Sequence, residues 1–168
     1  MNFKEKDIYH IYNRGNNSQK IFFEKANYLY FLKLTQKFIS PYTEILAWCL
    51  MPNHFHFMIY ANVMSVEQLK ERTIPLQRLS EGLRLLLSNY TKAINSRYHR
   101  KGSLFQQKVK TFMMAGIIML NRHSIIYIKI LRRLYCANNF MNGSLVPIEI
   151  MQGCEMVNYV IKPLQNNC

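Results

Sequence analysis

Two β-rich runs, EILAWCLMP and HFHFMIYA, lie back to back in the middle of this chain, hinged at Met51, Pro52 and Asn53. Proline presets one backbone angle and asparagine tolerates turn conformations, so the hinge reads as the tip of a hairpin. A hairpin fixes which side chains share a face. In the second run, residues two apart point the same way, which puts His54 and His56 on one side and Phe55 and Phe57 on the other.

The flanking segments extend the pattern. DIYHIYNRG alternates Ile8, His10 and Tyr12 against Tyr9 and Ile11 and stops at Gly15, as a strand does. NYLYFLKLTQKFIS carries Leu29, Phe31, Leu32, Leu34, Phe38 and Ile39 at helical spacing and ends before Pro41. After a polar stretch, Leu76, Leu79, Leu83, Leu86, Leu87, Tyr90 and Ile94 mark a long amphipathic helix. SLFQQKVKTF is then read as the last strand. The order β-α-β-β-α-β predicts an α+β class: a ferredoxin-like split β-α-β with an antiparallel sheet and its helices on one face. From about Thr111 onward the chain shows no clear hydrophobic period, and the pattern leaves the order of this C-terminal segment open.

With 168 residues, 20.1 kDa and 49% apolar composition, the chain suits one domain, 1–168, with an ordinary core. There are no repeats and no evident linker. No apolar run approaches the roughly 20 residues of a membrane span, and MNFKEKDIYH lacks the apolar region of a signal peptide, so no membrane partner and a cytoplasmic location are expected. Cys49, Cys136, Cys154 and Cys168 are scattered, which indicates neither a zinc ribbon nor a disulfide framework.

Charge narrows the partner. Against 22 Lys and Arg stand 9 Asp and Glu, a formal +13, and no acid lies between Glu81 and Glu149. Within that gap TKAINSRYHRKGSLFQQKVK interleaves Lys92, Arg97, Arg100, Lys101, Lys108 and Lys110 with Tyr98 and Phe105. Cations that track phosphates and rings that stack on bases make this a nucleic-acid pattern; a solvated basic helix has the same composition. Arg14, beside Gly15, is a further candidate phosphate contact, and equally a solvated turn residue. The paired imidazoles of His54 and His56 have metal-ligand geometry. A structural pair is the ordinary alternative, and a structural zinc with Cys49 is another that lacks an evident fourth ligand.

YHIYNRGNN, ILAWCLMPNHFHFMI, LSEGLRLLLSNYTKAIN and KGSLFQQKVK together resemble the REP-associated tyrosine transposases, single-tyrosine members of the HUH superfamily that act on single-stranded DNA. The resemblance covers residues 7 to about 110, and Met-Pro-Asn-His-x-His is its most specific part. It implies a ferredoxin-like sheet, Mg2+ or Mn2+ held by His54 and His56, and a tyrosine nucleophile on a C-terminal helix. It also implies single-stranded or hairpin DNA as partner, with the protein a monomer or homodimer. The reaction implied is nicking and joining through a 5′-phosphotyrosine.

The C-terminal third departs from that pattern. Where the family has Tyr-Ile-His-x-Asn-Pro, this chain has YIKILR from Tyr127, with Lys129 for the histidine, Leu131 for the metal-binding asparagine and Arg132 for the proline. Tyr127 is the candidate nucleophile, and His123, one turn earlier, a substitute ligand or an ordinary surface or core histidine. A single-nucleotide shift of codons for His-Tyr-Ile-His-Gln-Asn-Pro can be read as Ile125 to Leu131. Residues 111–168 are therefore read as divergent and out of frame. Two functions follow: an active single-strand transposase, or a catalytically inactive DNA-binding remnant of one.

Overall fold

The computed structural model describes residues 1–69 and 75–114. Strand β1 (Ile8–Arg14) leads through a 3-10 turn (Asn16–Ser18) to helix α1 (Lys25–Phe38), then to β2 (Glu44–Met51) and β3 (His54–Tyr60). A short helix α2 (Val63–Val66), the long helix α3 (Arg78–Arg97) and strand β4 (Lys110–Met113) follow. The strands form one four-stranded sheet in the order β2-β3-β1-β4, every neighbouring pair antiparallel. With β3 lying between β1 and β2, this is the split β-α-β arrangement expected from the element order.

One face of the sheet is apolar and carries both long helices. Tyr9 and Ile11 of β1, Leu50 of β2 and Phe55, Phe57 and Ile59 of β3 are buried with Phe31 and Leu32 of α1 and Leu83, Leu86 and Tyr90 of α3. Phe31 is the common neighbour, its ring centroid 5.1 Å from that of Phe55 and 4.9 Å from that of Tyr90. The buried Tyr90 hydroxyl donates to the Ile21 carbonyl at 2.8 Å, which satisfies a group that would otherwise be costly there. The helices approach closely at Gly82, where an added Cβ would lie 2.1 Å from the Phe38 carbonyl oxygen.

Local chemistry sets the boundaries. The Asn27 side-chain oxygen accepts from the backbone N–H groups of Phe23 and Glu24, closing the start of α1. Helix α3 begins at Arg78, two residues later than the apolar spacing suggests, because Gln77 is held by the N-terminal segment. Its amide bonds the Phe3 backbone in both directions, at 2.6 and 2.8 Å. The last strand also starts late, at Lys110 rather than Ser103. Leu104 and Phe105 are instead buried in the core, and Phe105 makes only an isolated bridge with Gly15. Among the described residues no helix is long and apolar enough to cross a membrane.

Candidate functional site

The hairpin tip is pinned from outside. The Pro52 carbonyl accepts from Ile21 at 2.7 Å and Phe22 at 3.0 Å, and the Asn53 carbonyl accepts from Gly15 at 2.8 Å. Gly15 must be glycine in this position, since a Cβ would fall 2.2 Å from the Gln19 carbonyl oxygen. The first turn of β3 is thus tied to the end of β1, and His54 starts from a fixed point.

Residues directly opposite in an antiparallel ladder share a face. Arg14 and Met51 stand opposite His54, and Tyr12 and Cys49 stand opposite His56. Lys110 and Phe112 of β4 stand opposite Tyr12 and His10. His10, Tyr12, Arg14, Cys49, Met51, His54, His56, Lys110 and Phe112 therefore lie on the face away from the helices. Of these, His54, His56, Arg14, Lys110 and, as an alternative zinc ligand, Cys49 are candidates legible in the sequence; His10 is not among them, its one signal being its parity with Tyr12.

The imidazoles are oriented by bonds through one nitrogen each. His54 Nδ1 lies 2.5 Å from Asn53 Oδ1, and His56 Nδ1 lies 2.7 Å from His10 Nε2. With Asn53 oriented oxygen-first, His54 Nδ1 carries the proton and its Nε2 keeps a lone pair. Burial pushes His10 down to about 4 and His56 down to about 3, His56 being lowered further by its histidine neighbours. His54 is lowered by burial and by the Arg14 charge. Near neutral pH all three are uncharged, the state a metal ligand requires.

Neutral imidazoles are donors of a chemical kind that divalent ions accept. His54 and His56 sit side by side on one strand with ring centroids 5.1 Å apart, each with a partner on Nδ1, the usual support of a ligating imidazole. Among the described residues no group of three or more His, Cys, Asp or Glu is arranged to hold a metal, so Cys49 does not complete a zinc site there. Tyr127 and His123 lie outside the described residues.

The basic residues are not gathered in one place. Arg14 hydrogen-bonds Ser18 at the end of β1, and the Lys110 ammonium lies 5.6 Å from the Tyr12 ring centroid, both on the histidine face. Lys92 and Lys108 line a groove between α3 and the 103–109 segment, with Arg84, Ser88 and Thr91. Arg97 pairs with Glu24 at 2.6 Å, and Arg100 bonds Gln19 with its guanidinium 6.0 Å from the Phe23 ring. Lys101 is exposed.

No protein-family model matches the chain, and no curated protein matches it. Solved structures similar to it include the following two. One is described as a "putative transposase" from Deinococcus radiodurans R1, with a TM-score of 0.46, 11% identity, and 79% of this chain and 93% of that chain covered. The other is a REP-associated tyrosine transposase bound to a REP hairpin, with a TM-score of 0.47, 14% identity, and 86% of this chain and 73% of that chain covered.

Proposed function

We propose that this chain binds single-stranded or hairpin DNA on the open face of its sheet, and that His54 and His56 hold Mg2+ or Mn2+ against a backbone phosphate as in the transposases its motifs resemble. The observation that carries this reading is the cross-strand alignment of Arg14 with His54 and Tyr12 with His56. Neutral, oriented imidazoles, a guanidinium and a flat ring then share one surface. A divalent ion held by His54 and His56 would supply Lewis-acid chemistry to the phosphate, drawing charge from its non-bridging oxygens. Arg14 adds a second positive group at the same end of the face, and Asn53 and His10 hold the two imidazoles in place.

In the enzymatic form of this reading, the Tyr127 hydroxyl oxygen attacks the phosphorus. The phenol gives up its proton, the bond to the leaving 3′ oxygen breaks and that oxygen takes up a proton, giving a 5′-phosphotyrosine and a free 3′-hydroxyl; reversal rejoins the strand without a nucleotide cofactor. The remnant form has its own support: Leu131 stands where the resemblance implies a ligating asparagine, and a hydrocarbon side chain cannot ligate. One experiment separates them. Incubation with Mn2+ and a single-stranded hairpin oligonucleotide, read by native electrophoresis for binding and by denaturing electrophoresis for covalent adduct, should give DNA binding with little adduct if the remnant form holds. Robust adduct formation that Tyr127→Phe abolishes would establish the enzyme; absence of both DNA and metal binding would overturn the reading altogether.

A further inference from the structure

Phe112 is 46% exposed although it sits within a strand, and that strand pairs with β1 as far as Met113, past residue 110 where the family resemblance ends. It belongs to β4, the edge of the sheet, and stands opposite His10 on the histidine face. Its ring is nearly parallel to that of Tyr12, 9° between planes with centroids 6.0 Å apart. Tyr12 in turn lies 5.3 Å from His56, at 24°. A short series of similarly tilted rings therefore runs from the histidine pair to the sheet edge, with the Lys110 ammonium beside Tyr12.

The charge of this face is one-sided. Of the four strands only β2 carries an acid, Glu44, and it stands opposite Tyr60 at the end of the sheet remote from His54. An exposed ring backed by a half-buried one and flanked by cations, with carboxylates kept away, matches the flat faces of bases and the phosphates between them. They suit a protein or apolar partner less well, since Lys110 and Arg14 would have to be desolvated beside it.

We propose that Phe112, with Tyr12 behind it, is a stacking platform for a base of the bound single strand, the one flanking the phosphate at His54 and His56, while Lys110 and Arg14 take the neighbouring phosphates. The proposal rests on the single-strand reading above and adds to it a base subsite at the sheet edge. Stacking on a π-face is tolerant of base identity, so the platform holds the strand in register without reading its sequence.

The test uses the full chain and single-stranded oligonucleotides at low salt, without metal, by fluorescence anisotropy. Phe112→Ala should weaken binding about tenfold, within the range of one lost stacked base. Phe112→Leu keeps apolar bulk without a π-face and should lose as much, whereas Phe112→Trp should bind at least as well as wild type. Trp48 is the only tryptophan of the chain and packs against the core, so Trp48→Phe gives a dark background. In it, emission from Phe112→Trp should be quenched by an intact oligonucleotide and much less by one with an abasic nucleotide at the stacked position. Circular dichroism checks that each variant is folded. Wild-type affinity in folded Phe112→Ala and Phe112→Leu, or equal quenching by intact and abasic strands, would overturn the platform while leaving the single-strand reading intact. A change of oligomeric state in Phe112→Ala at unchanged DNA affinity would assign the ring to a contact between copies instead. Failure of wild type to bind single strands at all would remove both proposals together.

Discussion

His10 and His56 meet edge to edge: Nε2 of one lies 2.7 Å from Nδ1 of the other, with the ring planes 6° apart and the centroids 5.0 Å apart. That separation is what an in-plane hydrogen bond between two imidazoles requires. Only one of the two nitrogens can carry the proton. If His56 Nδ1 donates, its Nε2 is left with a lone pair and can bind a metal; if His10 donates, that Nε2 is protonated and cannot.

His10 should therefore govern metal binding without touching the ion. His10→Ala should weaken Mn2+ binding about tenfold or more, in the range seen for lost supports of ligating histidines. His10→Gln, whose side-chain oxygen can accept from His56 Nδ1, should restore much of it. Titration calorimetry measures both, with His54→Ala and His56→Ala as references in which binding is abolished. Equal binding by wild type and His10→Ala would show that the contact does not select the ligating tautomer.

The same cluster makes stability depend on pH. His10 and His56 have folded-state values of about 4 and about 3 against an ordinary 6.5, and His54 is lowered as well. Above 6.5 these groups are neutral folded and unfolded, so their contribution is fully present. As pH falls below 6.5 the unfolded chain takes up protons that the folded chain refuses, and stability is lost progressively down to about 3 to 4. Urea midpoints measured in chelator across this window should fall more steeply for wild type than for the double variant His10→Gln with His56→Gln. Parallel curves would show that the imidazoles are protonated in the fold.

Salt should report where the strand lies. Each phosphate contact adds about −0.7 to the log-log slope for single strands, so Arg14→Gln and Lys110→Gln should each flatten it by about that amount. Arg97→Gln should leave it nearly unchanged, because that guanidinium is engaged with Glu24. The reverse pattern would move the strand off the histidine face.

Gly82 is expected to resist substitution. Alanine in the interior of α3 would gain about 1 kcal/mol of helix propensity, but its Cβ would meet the Phe38 carbonyl oxygen at 2.1 Å. Backbone on both sides cannot rotate away, so the helices must separate and core contacts loosen. A net loss of about 1–3 kcal/mol in urea unfolding is expected. A more stable Gly82→Ala would mean that the two helices are not held in contact there.

The hairpin, the shared face of His54 and His56, both long helices and the element order of a split β-α-β were legible in the chain, because each follows from local periodicity and turn chemistry. Periodicity is a near-neighbour property, and it carries no information on which strand lies beside which residue. The contact between His10 and His56 spans 46 positions, and register alone produces it. The same holds for the basic residues, which one stretch of sequence gathers and the fold distributes between the histidine face, the groove beside α3 and the pairing with Glu24. The late start of β4 is also tertiary: Leu104 and Phe105 satisfy their apolar surface by entering the core, and only the chain beyond them is free to add hydrogen bonds to the edge of β1. Long-range burial thus decided which cations and rings face the histidines, since it is the buried face that sets the register, and the register that sets the open one.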